Sequence, residues 1–306
     1  MKWLIKSCGF RWLSSFPGGE QIYAIIQRHI TRSIVITPDR LRGKIAVALH
    51  YLRWLRENGH SSRIIGGTHF DFGSGWHPTL PVAFYASGVE AQRLLDLAPV
   101  MKSDAIAQTI DLFRKIAPAL AKEAGLEFKR LPPETSASLS RDKQFSALGI
   151  TYNAPYGNLL SSLGAQADFI TSTQVLLHIE STNLIECLRA IYHTLKPGGI
   201  FLATIHLHPL YGGLDQSANS LRHLVYSPEQ WKKFGSKLMY YTRLKAPDYK
   251  RLLLEAGFQL PCFDVTKGSS EDYEALEKIQ VHPCFSEYSR DDLAARHLFF
   301  AAQKPE

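Results

Sequence analysis

The residues whose types and spacing carry the most chemistry lie between Asp71 and Asp96. "DFGSG" sets the Asp71 carboxylate beside a turn with Gly73 and Gly75, and Asp96 follows 23 residues beyond Gly73. A glycine pair between a strand and a helix lets backbone approach a ligand closely, and an acid at about that distance can accept hydrogen bonds from ribose hydroxyls. The sixth position of the dinucleotide spacing is Pro78 instead of Gly or Ala. Pro78 and Pro81 fall where the next helix should begin, and each removes an N–H that a diphosphate would use. Asp71 points the same way, because a carboxylate repels phosphate and attracts a cationic amino group. The ligand that fits is an adenosine without phosphate, carrying a positively charged amino-acid tail: S-adenosylmethionine.

A second set of residues could move a proton. His178, His206 and His208 follow strand-like segments, and imidazole works as a base near neutral pH. His206 and His208 alternate along one strand, so one of them faces a site, and His208 is the first choice. For His178 a cap or a backbone hydrogen bond is the favoured role, while His69 and His77 shape the glycine turn. Trp231, Tyr240 and Tyr241 can form either a stacking wall for a substrate or the core of a lid. His206-x-His208 offers two metal ligands with no third in spacing, so no metal is expected.

The elements that must position these residues read as an α/β fold. "TPDRLRGKIAVALHYLRWLRENG" is a helix with Thr37 at the N-cap, Pro38 next and Gly59 at its end, and Leu41, Ile45, Leu49, Leu52 and Leu55 make one apolar stripe. From residue 64 short apolar runs alternate with helical segments, the pattern of a mainly parallel sheet covered by helices. "RIIGGTHFDF" is the first strand, "TLPVAFYASG" a helix closed by Gly88, and "EAQRLLDL" a strand ending near Asp96. Asp104 caps a long helix that stops at Gly125. "GITYN" and "ADFITST" are further strands. Ser181 caps the helix that ends in "KPGG", where the chain turns back into the strand "IFLATIHLH". Residues 208 to 245 are aromatic and basic, with a capping box at Ser227, and read as a substrate lid. "APDYKRLLLEAG", "FQLPCFDV", "SEDYEALEKI" and "RHLFFAAQKP" then give helix, strand, helix and closing strand. The expected division is a helical extension over 1–60 and a Rossmann-like domain over 61–306, with the lid at about 208–245.

The 306 residues can bury a sizeable core, and 45% hydrophobic with 21% charged residues is ordinary for a globular protein. Thirty-five Lys and Arg against 28 Asp and Glu give a net charge of +7, which favours anionic partners, although no run of like charges marks a nucleic-acid footprint. Cys8, Cys187, Cys262 and Cys284 are scattered and read as reduced thiols of a cytoplasmic protein. No stretch has the roughly 18 apolar residues of a transmembrane segment, and the basic residues Lys6 and Arg11 break the pattern of a signal peptide.

The sequence resembles the class I S-adenosylmethionine-dependent methyltransferases. Asp71, Gly73 and Gly75 match the family's first motif, with His77 in place of its third glycine, and Asp96 matches the acid after the second strand. "ADFITSTQVLLHI", "LRAIYHTLKPGGIFLATIH" and "FFAAQKP" are similar to the fourth strand, the entry to the fifth and the last strand. "GSGWHPTLP", with "YSPEQW" and "TRLK", looks like a subgroup associated with bacterial surface-glycan and secondary-metabolite pathways. The resemblance implies a three-layer Rossmann-like sandwich with a mostly parallel seven-stranded sheet. It implies S-adenosylmethionine as cofactor and S-adenosylhomocysteine as product, held by Asp71, Phe72, Gly73, Ser74, Gly75, Asp96, Leu97, Ala154, Pro155 and Thr171. Gly157 stands where many relatives have an acid for the adenine amino group, leaving that role to backbone near Ala154 and Pro155 or to Asn158; Leu177 replaces the usual Glu before His178. The implied activity is methyl transfer to a small molecule or glycan, with oxygen the preferred acceptor. The alternatives are a scaffold that keeps the fold without turnover, a nucleic-acid methyltransferase, and a nicotinamide oxidoreductase, against which Pro78 speaks.

Overall fold

The computed structural model of the protein describes residues 35–208, 219–234 and 240–306. The start of the expected helical extension, and the parts of the expected lid at 209–218 (with Tyr211) and 235–239, lie outside the described residues.

The first described helix, α1 (Pro38–Glu57), forms as the sequence dictates. Thr37 accepts the Arg40 N–H on its hydroxyl at 3.3 Å, Pro38 occupies the first turn, and Gly59 takes φ 81° just past the end. The chain continues through α2 (Ser61–Ile64), β1 (Thr68–Phe72), α3 (Thr79–Ser87), β2 (Ala91–Leu95), α4 (Ser103–Glu123), α5 (Arg141–Ser146) and β3 (Ile150–Asn153). Next come α6 (Leu159–Ser162), β4 (Ala167–Thr173), α7 (Ser181–Thr194) and β5 (Leu195–His206). After β5 are α8 (Pro228–Lys232), α9 (Ala246–Glu255), β6 (Gln259–Thr266), α10 (Ser270–Glu277), α11 (Arg290–Ala294) and β7 (His297–Gln303). The seven strands form one sheet in the order β3-β2-β1-β4-β5-β7-β6. β1 pairs in parallel with β2 and with β4, and β2 with β3. The order reverses between β1 and β4, and ligands of open α/β sheets bind in the crevice outside the carboxyl ends of the strands at such a switch.

Several boundaries differ from the sequence reading. The first strand starts at Thr68 because α2 and a turn at Gly66 and Gly67 intervene; a Cβ on Gly67 would collide with the Arg63 carbonyl. Lys102, not Asp104, holds the cap position of α4, and Asp104 lies in its first turn. Ser181 is the first residue of α7 rather than its cap. "LKPGG" is counted in β5, with the Gly198 N–H donating to Pro305 O at 3.2 Å and Gly199 O accepting from the Lys304 N–H at 2.9 Å, while Gly198 itself takes φ 67°, the left-handed conformation the turn reading expects of a glycine. The short helix α11 went unforeseen.

The chain divides into two compact units. One comprises the described residues of 33–172, 190–202 and 303–306. Its core is built from α1 (Leu41, Ile45, Leu52, Leu55) packed on α3 and α4, with Phe70, Phe84, Leu94 and Phe113 buried. The other contains the described residues of 173–189 and 203–302. In it Leu221, Leu224, Leu276, Phe285 and Leu293 form a buried cluster.

Candidate active site

Within the first unit, the turn after β1 spends its amides internally. The N–H groups of Gly73 and Ser74 both donate to Leu95 O, at 2.8 and 3.3 Å, and that of Gly75 donates to Asp96 Oδ2 at 2.7 Å. Gly73 and Gly75 take φ 80° and 67°, where glycine is favoured. The three amides of the turn are therefore directed inward, away from any phosphate. α3 starts at Thr79 with Pro78 at the cap position and Pro81 in its first turn. A Cβ on Gly75 would meet nothing within 4 Å, so open space adjoins the turn.

Asp96 receives the Gly75 N–H on one carboxylate oxygen and the Leu97 N–H, at 2.7 Å, on the other. Oδ1 also accepts the Ala98 N–H at 3.4 Å, so Oδ2 is the oxygen with a lone pair left for a further donor such as a ribose hydroxyl. Leu97 itself is 78% exposed and contributes through its backbone. Phe72 is buried with its ring edge-on to Tyr156, so its side chain faces the core. The Ala154–Pro155 bond is cis. At the end of β3, Asn153 Oδ1 is buried without a hydrogen-bond partner, as is Ser74 Oγ in the glycine turn. Buried polar atoms of this kind are rarely left unpaired unless a ligand or water completes them. Asn153 was missed in the sequence, although a polar residue ending a strand beside Asp96 was a legible signal.

Asp71 is only 5% exposed. Thr171 Oγ1 lies 2.8 Å from Asp71 Oδ1 and 2.8 Å from His69 Nε2. His69 Nδ1 lies 2.9 Å from Gln92 Oε1, and Gln92 Nε2 donates to Pro81 O at 2.8 Å. That last bond fixes the Gln92 amide, so Oε1 accepts and His69 Nδ1 must donate. The Thr171 hydroxyl has one hydrogen for two contacts. If it serves His69, Asp71 must be protonated to donate to Thr171; if it serves Asp71, His69 must be doubly protonated. Either way the chain from Gln92 to Asp71 holds one proton more than a neutral imidazole and an ionised carboxylate. Burial against Phe84 and Phe169 drives the His69 pKa down to about 3, which puts the proton on Asp71. Burial likewise pushes Asp71 up to about 7; the ionised form is favoured by Thr171, whose hydroxyl can then donate to it, and by Lys44, and disfavoured by Asp96. His69 is thus a structural relay, as expected of a residue shaping the turn, and His77 is buried beside the Thr109 hydroxyl.

In the second unit, His178, Glu180, Trp231, Tyr240, Arg243 and Cys284 are among the residues that line a pocket of about 1040 Å³. His178 Nδ1 lies 2.8 Å from the Tyr240 carbonyl, which can only accept, so Nδ1 carries hydrogen and Nε2 is left as a base. The Arg243 guanidinium stacks over Trp231 and Phe285. Tyr241 is buried, and its carbonyl accepts from Trp231 Nε1 at 3.0 Å. Trp231 and Tyr240 therefore line the pocket, whereas Tyr241 is core.

His206 and His208 do not line that pocket. The His206 ring packs 4.4 Å from His297, and burial holds its pKa down to about 4. His208 Nε2 is buried without a partner, and burial with the nearby Lys245 charge lowers its pKa to about 4. Lys245 is fully buried, with Nζ 3.3 Å from His223 Nε2, and burial brings its pKa down to about 7. Among the described residues no cluster of side chains could hold a metal ion, and no helix is long and apolar enough to cross a membrane.

The model of a family described as "Methyltransferase domain" matches residues 40–262, well over half of the chain, and the protein belongs to that family. With the seven-stranded fold this makes it a class I methyltransferase, a family whose cofactor is S-adenosylmethionine. Comparison with curated proteins gave no match. Among solved structures the chain is similar to an S-adenosylmethionine-dependent methyltransferase from Mesorhizobium loti, at 16% identity, over 79% of this chain and 93% of that one, with a TM-score of 0.40. It is similar to magnesium protoporphyrin IX methyltransferase from Synechocystis, solved with bound S-adenosylhomocysteine, at 12% identity, over 86% and 83%, with a TM-score of 0.43. A methyltransferase from Methanosarcina mazei matches at 14% identity over 78% and 92%, with a TM-score of 0.41.

Proposed function

We propose that the chain transfers a methyl group from S-adenosylmethionine to a small molecule or glycan, with oxygen as the preferred acceptor. The observation that carries the cofactor's place is the turn after β1: its amides are spent on Leu95 and Asp96, while the buried Asp71 carboxyl stands at the strand end. Such a site rejects a diphosphate and suits a cationic amino group. The residues fit the cofactor part by part. Asp71 takes the ammonium, Asp96 the ribose hydroxyls, and Asn153 Oδ1, Ala154 and Pro155 the adenine edge. The main chain of Phe72, Gly73, Ser74, Gly75 and Leu97 forms the floor, and Thr171 orients Asp71.

The bound cofactor supplies a sulfonium methyl, which leaves by in-line displacement. The protein's task is to orient the acceptor, exclude water and remove its proton. His178 is the better placed base, because its free Nε2 belongs to the pocket with Trp231 and Tyr240 as flat walls for a ring. His208 and His206, the first candidates in the sequence, do not line that pocket: His206 packs on the His297 ring, and the Lys245 charge lies near His208. The subgroup resemblance of "GSGWHPTLP" is the support for a glycan or secondary-metabolite acceptor.

Mass spectrometry of small molecules released from the purified protein tests the reading. Co-purified S-adenosylhomocysteine supports it. A bound dinucleotide, or no binding of S-adenosylhomocysteine by calorimetry with Asp96→Ala indistinguishable from the parent, sinks it.

A further inference from the structure

α1 brings a cation to Asp71 that the glycine turn does not explain. Lys44 stands three residues after Leu41 and four before Ala48, on the face that also carries Tyr51 and Leu55, all four of which are fully buried. The register of this face is set by Tyr51, whose hydroxyl donates to Ser172 O at 3.4 Å, next to the Thr171 that bonds Asp71. Two turns back along the helix, the Lys44 ammonium is largely buried and feels the Asp71 charge. Among the described residues no carboxylate comes within ion-pair distance of it and no acceptor bonds it. A buried ammonium without an acceptor is costly, and lysine is a compact point charge on a flexible stem, suited to a single anionic group.

An α-amino acid tail carries an ammonium and a carboxylate on one carbon. Asp71 answers the first in sign, and Lys44 is the nearby charge of the opposite sign. We propose that Lys44 binds the α-carboxylate of the cofactor's methionine tail, so that Lys44 and Asp71 together select a zwitterion. This rests on the cofactor reading given above. The helix preceding the sheet is on this account part of the cofactor site and not merely a cover for the sheet.

Calorimetry with the full chain tests it using three ligands: S-adenosylhomocysteine, its decarboxylated analogue, which keeps the ammonium, and 5′-methylthioadenosine, which has neither group. Lys44→Met is expected to weaken S-adenosylhomocysteine tenfold or more while leaving the other two within twofold, and Lys44→Arg to restore most of the loss. Equal weakening of S-adenosylhomocysteine and the decarboxylated analogue would show that Lys44 acts only by keeping Asp71 ionised, and overturns the proposal. So does an unchanged affinity for all three. If Lys44→Met also loses methylthioadenosine, the same comparison with Lys44→Gln decides. A parent protein that binds none of the three overturns the cofactor reading itself, whereas a parent that binds all three with an indifferent Lys44 overturns only the role of Lys44.

Discussion

The proton held between His69 and Asp71 should make S-adenosylhomocysteine binding pH-dependent, and the expected size of the effect follows from the structure. Burial raises the Asp71 pKa from 3.8 to about 7 in the free protein. Ionising it there costs about 4 kcal/mol more than in water. The charged groups that act on it are Lys44 from α1 and Asp96 from the end of β2; the Thr171 hydroxyl bonds it directly. An incoming ammonium requires the ionised carboxylate, so binding expels the proton. The ionised fraction of a group with pKa near 7 rises from about 0.09 at pH 6 to about 0.76 at pH 7.5, so affinity should rise about eightfold across that interval, with about 0.9 proton released per ligand at pH 6. The assay is titration of S-adenosylhomocysteine at both pH values, in buffers of different ionisation enthalpy, which yields the affinity and the proton count together. Asp71→Asn should flatten the profile and lower the affinity. 5′-Methylthioadenosine, lacking the ammonium, should release no proton from the parent protein. A flat profile with near-zero proton release from the parent would refute the hydrogen-bond reasoning, because the Gln92–His69–Thr171–Asp71 chain would then carry no surplus proton.

Three other outcomes are expected. Gly75→Ala forces a side chain to φ 67°, costing about 1–2 kcal/mol, and disturbs the N–H that bonds Asp96; a lowered melting temperature with weakened S-adenosylhomocysteine binding checks it. Lys245 has a folded pKa of about 7 against 10.5 unfolded, so the unfolded chain binds more protons and stability should climb as pH rises from about 7 to about 10. Lys245→Met should abolish that climb in thermal melts and raise the melting temperature at pH 7. With an acceptor in hand, His178→Ala should cut turnover by at least about a hundredfold, the usual worth of a general base, while the affinity for S-adenosylhomocysteine stays within twofold of the parent.

The strands and helices around the candidate site were largely legible because their signals are local. Thr37-Pro38 and Gly59 delimit α1, Gly88 ends α3, and the apolar alternation after residue 64 yields the parallel sheet. Errors fell where partners distant in sequence decide. "LKPGG" has every mark of a turn, and Gly198 takes the left-handed φ of one, yet pairing with Pro305 and Lys304 counts it in β5. Lys44 interrupts a buried stripe and was readable as an anomaly, whereas its facing Asp71 was not.

By itself the sequence pointed to the kind of cofactor: Pro78 and Pro81 remove donors that a diphosphate would use and the Asp71 carboxylate disfavours phosphate, properties that residue types carry wherever they fold. It also determined the α/β class, since periodicity follows from which faces must be buried. Only the tertiary structure decided what those residues do together. The sequence cannot show that a threonine 100 positions after Asp71 shares one hydrogen between it and His69, nor that the amides of the turn close onto Leu95 and Asp96. Nor does it reveal that His178 keeps a nitrogen free while His208 is buried near the Lys245 charge. Hydrogen-bond direction and desolvation depend on which atoms are brought within 3 Å and cut off from water, and in this chain those atoms belong to residues far apart in sequence.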